Sequence, residues 1–233
     1  MAIEALRDRR WILLPGTLCT GAVFEDFLDI AGVGEAQRDV IDMRHANVAD
    51  YAEELAKVMR PGAVVCGFSL GAMVAAHHAD WLDAALLLLF GVNPFPDDPK
   101  KLEGRRDLER AVHLDGGDKA LRPLLPVFNN PHPELVEGRI LDMAKQAAPM
   151  ISAQTELAIG RPGALSILAR TTCPTIVLTG DRDEQTPFAL GEQAARAAPS
   201  GRAVPLAGLG HYALMEDPQA CFAALSKVWS ELG

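Results

Sequence analysis

Short apolar runs alternate with stretches of helical period at both ends of the chain, at residues 11–14, 39–43, 63–66, 84–90, 175–179 and 203–207, and those at 63–66 and 84–90 are unbroken. A run with no polar positions suits a strand buried on both faces, as in a parallel sheet with helices above and below. The second run is the weakest. The last contains Pro205, which removes a ladder donor and fits an edge strand. Helix starts can be read between the runs: Asn47 ahead of 48–59, Thr186-Pro187 ahead of 188–198, and Asp217-Pro218 ahead of 219–232, each with a capping residue and two with a proline at the first helical position. A further helical stretch covers 72–80.

The middle of the chain has a different pattern. From residue 93 to 169 no strand is expected, and prolines at 94, 96, 99, 123, 126, 131, 133, 149 and 162 repeatedly interrupt helix-like stretches. The fold class predicted is α/β: a mostly parallel sheet of about six strands, helices on both faces, and a helical cap inserted after the fourth strand. Residues 1–92 and 170–233 form the expected core domain, and 93–169 the expected cap (lid).

With 233 residues the chain can bury roughly 70% of its unfolded surface as one domain. A net charge of −9 argues against nucleic acid or an anionic membrane as partner, because either would need a basic surface. The longest apolar run, 84–90, has the length of a strand and falls far short of a membrane span. The start, 1–10, alternates charged and short apolar residues and predicts no export signal. Cys19, Cys66, Cys173 and Cys221 are widely spaced, with no pattern of a zinc site or a disulfide framework, so a reducing cytoplasm is expected. Gly116-Gly117 lacks the preceding strand and the lysine of a phosphate loop.

The chemistry centres on Gly67-Phe68-Ser69-Leu70-Gly71, which lies where the third strand meets a helix. A serine on such a turn projects its hydroxyl over the sheet edge, and the following helix points its positive dipole end at the same place. The hydroxyl needs a base, and that base needs an orienting group. His211, in the glycine-bearing loop after the last strand, is the leading base. His77 and His78 sit within the helix after Ser69, His113 and His132 fall in the cap, and His45 precedes a helix. For the orienting acid, Asp181, Asp183 and Glu184 compete in the loop after the fifth strand. The chain order serine, acid, histidine agrees with one known triad arrangement.

These motifs resemble those of the α/β-hydrolase superfamily, in particular its small, capped, esterase-like members, over residues 11–93 and 170–232. The resemblance selects Asp183, because the family's G-x-x-D-x-x-x-P falls on Gly180, Asp183 and Pro187. Its G-x-G-H with E-x-P behind it falls on Gly208, Gly210, His211, Glu216 and Pro218. The family's H-G pair after the opening strand is Pro15-Gly16 here, which implies Thr17 and Leu70 as backbone donors of an oxyanion hole. Phe24 stands where relatives often carry Trp, and Arg161-Pro162-Gly163 resembles an R-P-D motif with the acid replaced.

The activity implied is hydrolysis of carboxylic esters or lactones of small to medium, largely uncharged and apolar substrates through a Ser69–His211–Asp183 triad and an acyl-enzyme, with no metal or organic cofactor. The partner expected is a small-molecule substrate, and the chain a monomer or homodimer. The same superfamily also includes lyases, carbon–carbon bond hydrolases and ligand-binding receptors with little turnover. Cys19, near the oxyanion loop, reads as an apolar wall residue. The basic surplus in 100–110 reads as a solvated helix face that could otherwise dock an acidic carrier.

Overall fold

Every position of the central runs is apolar because each strand is covered twice. In the computed structural model, which describes residues 3–231, Trp11 and Leu13 point into one core and Ile12 and Leu14 into another. Val64, Cys66 and Phe68 alternate with Val65 in the same way, and Leu86, Leu88 and Phe90 with Leu87 and Leu89. Met1 and Leu232, the expected last residue of the closing helix, lie outside the described residues.

The core elements before the insertion are β1 (Trp11–Leu14), α1 (Glu25–Ala31), β2 (Arg38–Val40), α2 (Tyr51–Val58), β3 (Ala63–Phe68), α3 (Leu70–His77) and β4 (Ala84–Phe90). Five helices follow with no strand among them: α4 (Leu102–Asp115), α5 (Gly117–Leu121), α6 (Pro133–Ala147), α7 (Ile151–Gly160) and α8 (Leu165–Leu168). The core then resumes with β5 (Thr175–Gly180), α9 (Phe188–Ala197), β6 (Gly201–Leu206), α10 (Ala213–Glu216) and α11 (Pro218–Glu231).

The six strands form one sheet in the order β2-β1-β3-β4-β5-β6, and every pairing is parallel. Helices α1 and α11 cover one face with Phe27, Leu28, Leu225 and Trp229. Helices α2, α3 and α9 cover the other with Tyr51, Leu55, Val74 and Ala194. Leu87, Leu88 and Leu89 have no exposed surface, and truncating one of them to Ala costs about 2–5 kcal/mol. With the middle of the sheet filled in this way, polar chemistry is confined to its ends. The carboxyl ends of β1, β3, β5 and β6 all open at one edge, as expected where a parallel sheet binds ligands.

Several element bounds differ from the sequence pattern. β2 is Arg38–Val40 rather than 39–43, since after Ile41 bonds Leu13 O the chain turns, with Arg44 N–H bonding Asp42 O. β3 continues to Phe68 because Gly67 and Phe68 still pair with Leu89 and Phe90. β5 and β6 extend over Thr175–Gly180 and Gly201–Leu206 and pair along their whole lengths. Helix α3 begins at Leu70 and ends at His77, ahead of the 72–80 expected.

Two of the expected caps are not made. Asn47 precedes a 3-10 turn, Val48–Asp50, and its side-chain amide bonds Asp50 instead of a backbone N–H. Pro187 occupies the cap position rather than the first turn of α9, and the Thr186 hydroxyl is directed elsewhere. Asp217 does cap α11, accepting from Ala220 N–H at 2.8 Å. Among the described residues no helix is long and apolar enough to cross a membrane.

Candidate active site

Ser69 joins β3 to α3 with φ 51° and ψ −115°, a conformation that costs a non-glycine residue about 1–3 kcal/mol. Flanking hydrogen bonds hold it there. Its N–H bonds Phe90 O at the end of β4, 2.9 Å away, and its carbonyl accepts the Met73 N–H at 3.1 Å as α3 begins. The turn also requires close backbone approach: a Cβ built on Gly71 would lie 2.0 Å from Leu14 O, and one on Gly67 2.5 Å from Ala72 Cα.

The structure brings His211 and Asp183 to this serine. His211 Nε2 lies 3.1 Å from Ser69 Oγ, and Nδ1 lies 2.8 Å from Asp183 Oδ2. An ionised carboxylate accepts only, so Nδ1 carries the proton and Nε2 is left to accept the serine O–H. The imidazole packs against Phe68, with ring centroids 5.1 Å apart, and its side chain is 11% exposed.

The Asp183 side chain is 1% exposed and fully bonded. Oδ1 accepts the amides of Gln185 at 2.9 Å and Thr186 at 2.8 Å, and Oδ2 accepts the Thr186 hydroxyl at 2.7 Å in addition to His211. Burial pushes its pKa up, but the bond and charge of His211 and the Thr186 donors outweigh this and hold it below the ordinary value. Asp183 is therefore an anion aimed at the imidazole. Asp181 is exposed and accepts the Gly208 N–H at 2.8 Å, so it fastens the histidine loop without touching the ring. Glu184 is exposed at the cavity rim.

Gly16 lies directly against the serine: a Cβ there would come 3.1 Å from Ser69 Cβ. Thr17 and Leu70 both line the cavity that contains Ser69 and His211. The Leu70 amide is the first of α3 and has no acceptor within the helix. The next amide along the loop, Leu18, is committed to Gln154 Oε1 at 2.9 Å, and Cys19 N–H to Gly16 O at 3.1 Å. Burial pushes the Cys19 thiol up to about 12, so it is neutral and not nucleophilic at ordinary pH.

The remaining histidines lie away from Ser69, and His77 Nδ1 is buried with no partner among the described residues. His45 bonds Glu54 at 3.0 Å, His78 is buried and bonds Val48 O, and His113 meets Ser152. Among the described residues no group of His, Cys, Asp and Glu is arranged to hold a metal ion. The cavity over the serine measures about 920 Å³ and is walled by both the sheet loops and the inserted helices.

Four residues here escaped sequence reasoning. Thr186 has the pattern of a helix cap, yet its amide and hydroxyl both donate to Asp183. Gly91, at φ 59°, follows β4, and a Cβ there would sit 2.9 Å from Thr186 Oγ1, 3.3 Å from Asp183 Oδ2 and 3.4 Å from His211 Cε1. A glycine directly after a buried strand was the available signal. Glu216 was noted only as part of a motif. It is buried, and its two oxygens accept the amides of Gly210 at 3.0 Å and Asn129 at 3.1 Å. Gln154, on α7, gave no signal at all.

Sequence comparison matches residues 8–224 to the model of the alpha/beta hydrolase family. The AB hydrolase superfamily protein YisY of Bacillus subtilis is 24% identical over 204 residues, 82% of this chain and 76% of that protein. A malate-bound thermophilic esterase from Thermogutta terrifontis superposes with a TM-score of 0.77 at 24% identity, covering 96% of this chain and 90% of its own. The enol-lactonase of Burkholderia xenovorans LB400 gives 0.73 at 15% identity, covering 97% and 91%.

Proposed function

Because the chain belongs to the alpha/beta hydrolase family, we propose that it is a serine hydrolase that cleaves carboxylic esters or lactones of small to medium size by way of an acyl-enzyme. The observation that carries this reading is the continuous chain of hydrogen bonds from Asp183 through His211 to a strained Ser69. His211 Nε2 takes the serine proton as Oγ attacks the carbonyl, and Asp183 stabilises the imidazolium that forms. The tetrahedral oxyanion is received by the N–H groups of Thr17 and Leu70, aided by the start of α3. His211 returns the proton to the leaving oxygen, then activates water to release the acid from Ser69. Residues 93–169 act in this scheme as a cap over the core of 1–92 and 170–233, excluding bulk water from the acyl-enzyme.

The test is labelling with a fluorophosphonate alongside turnover of p-nitrophenyl butyrate. Wild type should label and turn over, while Ser69→Ala should not label and should lose roughly 10⁴- to 10⁶-fold in kcat, as should His211→Ala. Equal labelling of wild type and Ser69→Ala removes the nucleophile from this scheme.

A further inference from the structure

The walls of the cavity do not share the sign of the protein. The chain has a net charge of −9, yet the charged residues lining the cavity are five cations, Lys100, Lys101, Arg105, Arg161 and Arg182, against Glu184 and Glu216. Glu216 has both oxygens occupied by backbone amides and forms no ion pair with a cation among the described residues.

The cationic wall comes from the basic run at 100–110, whose pattern alone suits a solvated face. Lys101 and Arg105 are four residues apart and Leu108 follows three later, which places all three on one face of α4 and its lead-in, and all three line the cavity. Arg106 and Arg110 face away and find partners within the inserted helices: Arg106 pairs with Glu109 and Glu156, and Arg110 with Asp107. Lys100 and Lys101 form no ion pair among the described residues, and Lys101 Nζ reaches only Gln185 O at 3.3 Å.

Behind them two guanidiniums share one acid. Arg105 makes a two-point contact with Asp97, 2.6 Å at each oxygen, and Arg161 approaches the same carboxylate at 3.5 Å. Two positive charges on one negative charge leave a surplus at a site where Asp97 is 6% and Arg161 3% exposed. Arg161 Nε is buried with no partner. Burial lowers the Arg161 pKa to about 10, against the pull of Asp97, so it remains charged at neutral pH. A ligand anion would supply the missing counter-charge, and the field would concentrate anions in the cleft from an otherwise repelling surface.

Resting on the ester-hydrolase reading, we infer that the substrate carries a carboxylate remote from its scissile bond and that Lys100, Lys101 and Arg105, backed by Arg161, hold it. The apolar side chains of Leu108, Leu121 and Leu125 then face the body of the substrate, and only one end of it is charged. This departs from the expectation of a largely uncharged substrate while keeping its apolar body.

Two matched ester pairs test it: p-nitrophenyl hexanoate against mono-p-nitrophenyl adipate, with the carboxylate in the acyl chain, and phenyl butyrate against 4-carboxyphenyl butyrate, with it in the alcohol. In at least one pair the charged ester should have about 10- to 100-fold the kcat/KM of its neutral match, an advantage that shrinks as salt is raised. In Arg105→Gln that ratio should fall toward one. Because Arg105 also holds Asp97, the exposed pair Lys100→Gln/Lys101→Gln is measured beside it and should reduce the ratio as well.

Neutral esters cleaved as well as or better than charged ones in both pairs would overturn the inference and leave the hydrolase reading standing. A ratio unchanged in both variants would overturn the assignment of these side chains. Should no ester be cleaved and Ser69 fail to label, the hydrolase reading fails, and calorimetric titration with adipate decides the anion site alone. Saturable binding weakened about 10-fold in the lysine variant supports the site, and no binding refutes it.

Discussion

A methyl group at Gly71 tests whether the serine turn depends on close backbone approach. In Gly71→Ala the new carbon would sit 2.0 Å from Leu14 O, 2.4 Å from Leu14 C and 2.5 Å from Pro15 O, all backbone atoms with no rotamer to escape into. Ordinary contact begins near 3.4 Å, so the start of α3 must separate from the exit of β1 by about 1.4 Å. Forcing a buried segment apart in this way costs about 3 kcal/mol, the upper end for overpacking. The same displacement moves Ser69 away from Thr17, and a misplacement near 1 Å costs about 10²-fold in rate.

Gly138→Ala is the matched control. It lies within α6, where an added Cβ meets nothing within 4 Å, and should raise stability by about 0.5–1 kcal/mol through helix propensity. Urea unfolding midpoints and p-nitrophenyl butyrate turnover read both variants. Should Gly71→Ala unfold within about 0.5 kcal/mol of wild type and keep its turnover, the crowding described at the turn is not what holds the serine.

Other outcomes follow from the acid side of the site. Asp183→Asn should lower kcat by about 10⁴-fold, whereas Asp181→Asn, which can still accept the Gly208 N–H, should stay within a few-fold in the same assay. The folded pKa of Asp183 is depressed, so its contribution to stability is present above the ordinary carboxylate value and is lost as pH falls through the lowered one. The stability gap between wild type and Asp183→Asn should therefore narrow in acid, and a gap that widens there contradicts the assignment. Glu216 has the opposite sign: burial raises its pKa against the pull of the Asn129 and Gly210 amides, so its contribution is complete below the ordinary value and declines as pH rises through the raised one. Glu216→Gln turns an NH₂ toward one of those buried amides and should cost about 1–3 kcal/mol, with the gap to wild type narrowing toward alkaline pH in urea titrations.

Strand positions were legible because burial on both faces leaves no polar residue in 84–90 or 11–14, a pattern that survives without any tertiary information. Helix caps were less legible. Thr186 satisfies every sequence criterion for a cap, yet its hydroxyl donates to a buried carboxylate 2.7 Å away and the cap position falls on Pro187. Ser69 and His211 were recognisable from glycine-bearing loops at strand ends. The choice of Asp183 over Asp181 needed a family pattern, since both sit in one loop and only the path of the chain decides which reaches the imidazole. The charge of the cavity was hidden for a related reason. Lys101 and Arg106 look equivalent in a basic run, and only the packing of α4 turns one toward the serine and the other toward Glu156.

The segment between β4 and β5 is bonded to the loops of Thr17, Asp183 and His211. Gln154 on α7 takes the Leu18 amide, fixing the loop that presents Thr17 and leaving Leu18 at φ 55°. Asn129 and Asn130 grip the histidine loop and α10, through Gly208 O at 3.1 Å, Glu216 Oε2 at 3.1 Å and Glu216 O at 2.7 Å. Lys101 reaches Gln185 O in the loop that carries Asp183. A cover held only by apolar contact could shift without moving the groups beneath it. Displacing one fastened to these three loops breaks those bonds, and at Leu18 it leaves a buried amide without its partner at about 1–3 kcal/mol. The inserted segment is therefore tied to the loops of Thr17, His211 and Asp183 as well as forming part of the cavity wall. Exchanging it for that of a relative should change rate and substrate preference together.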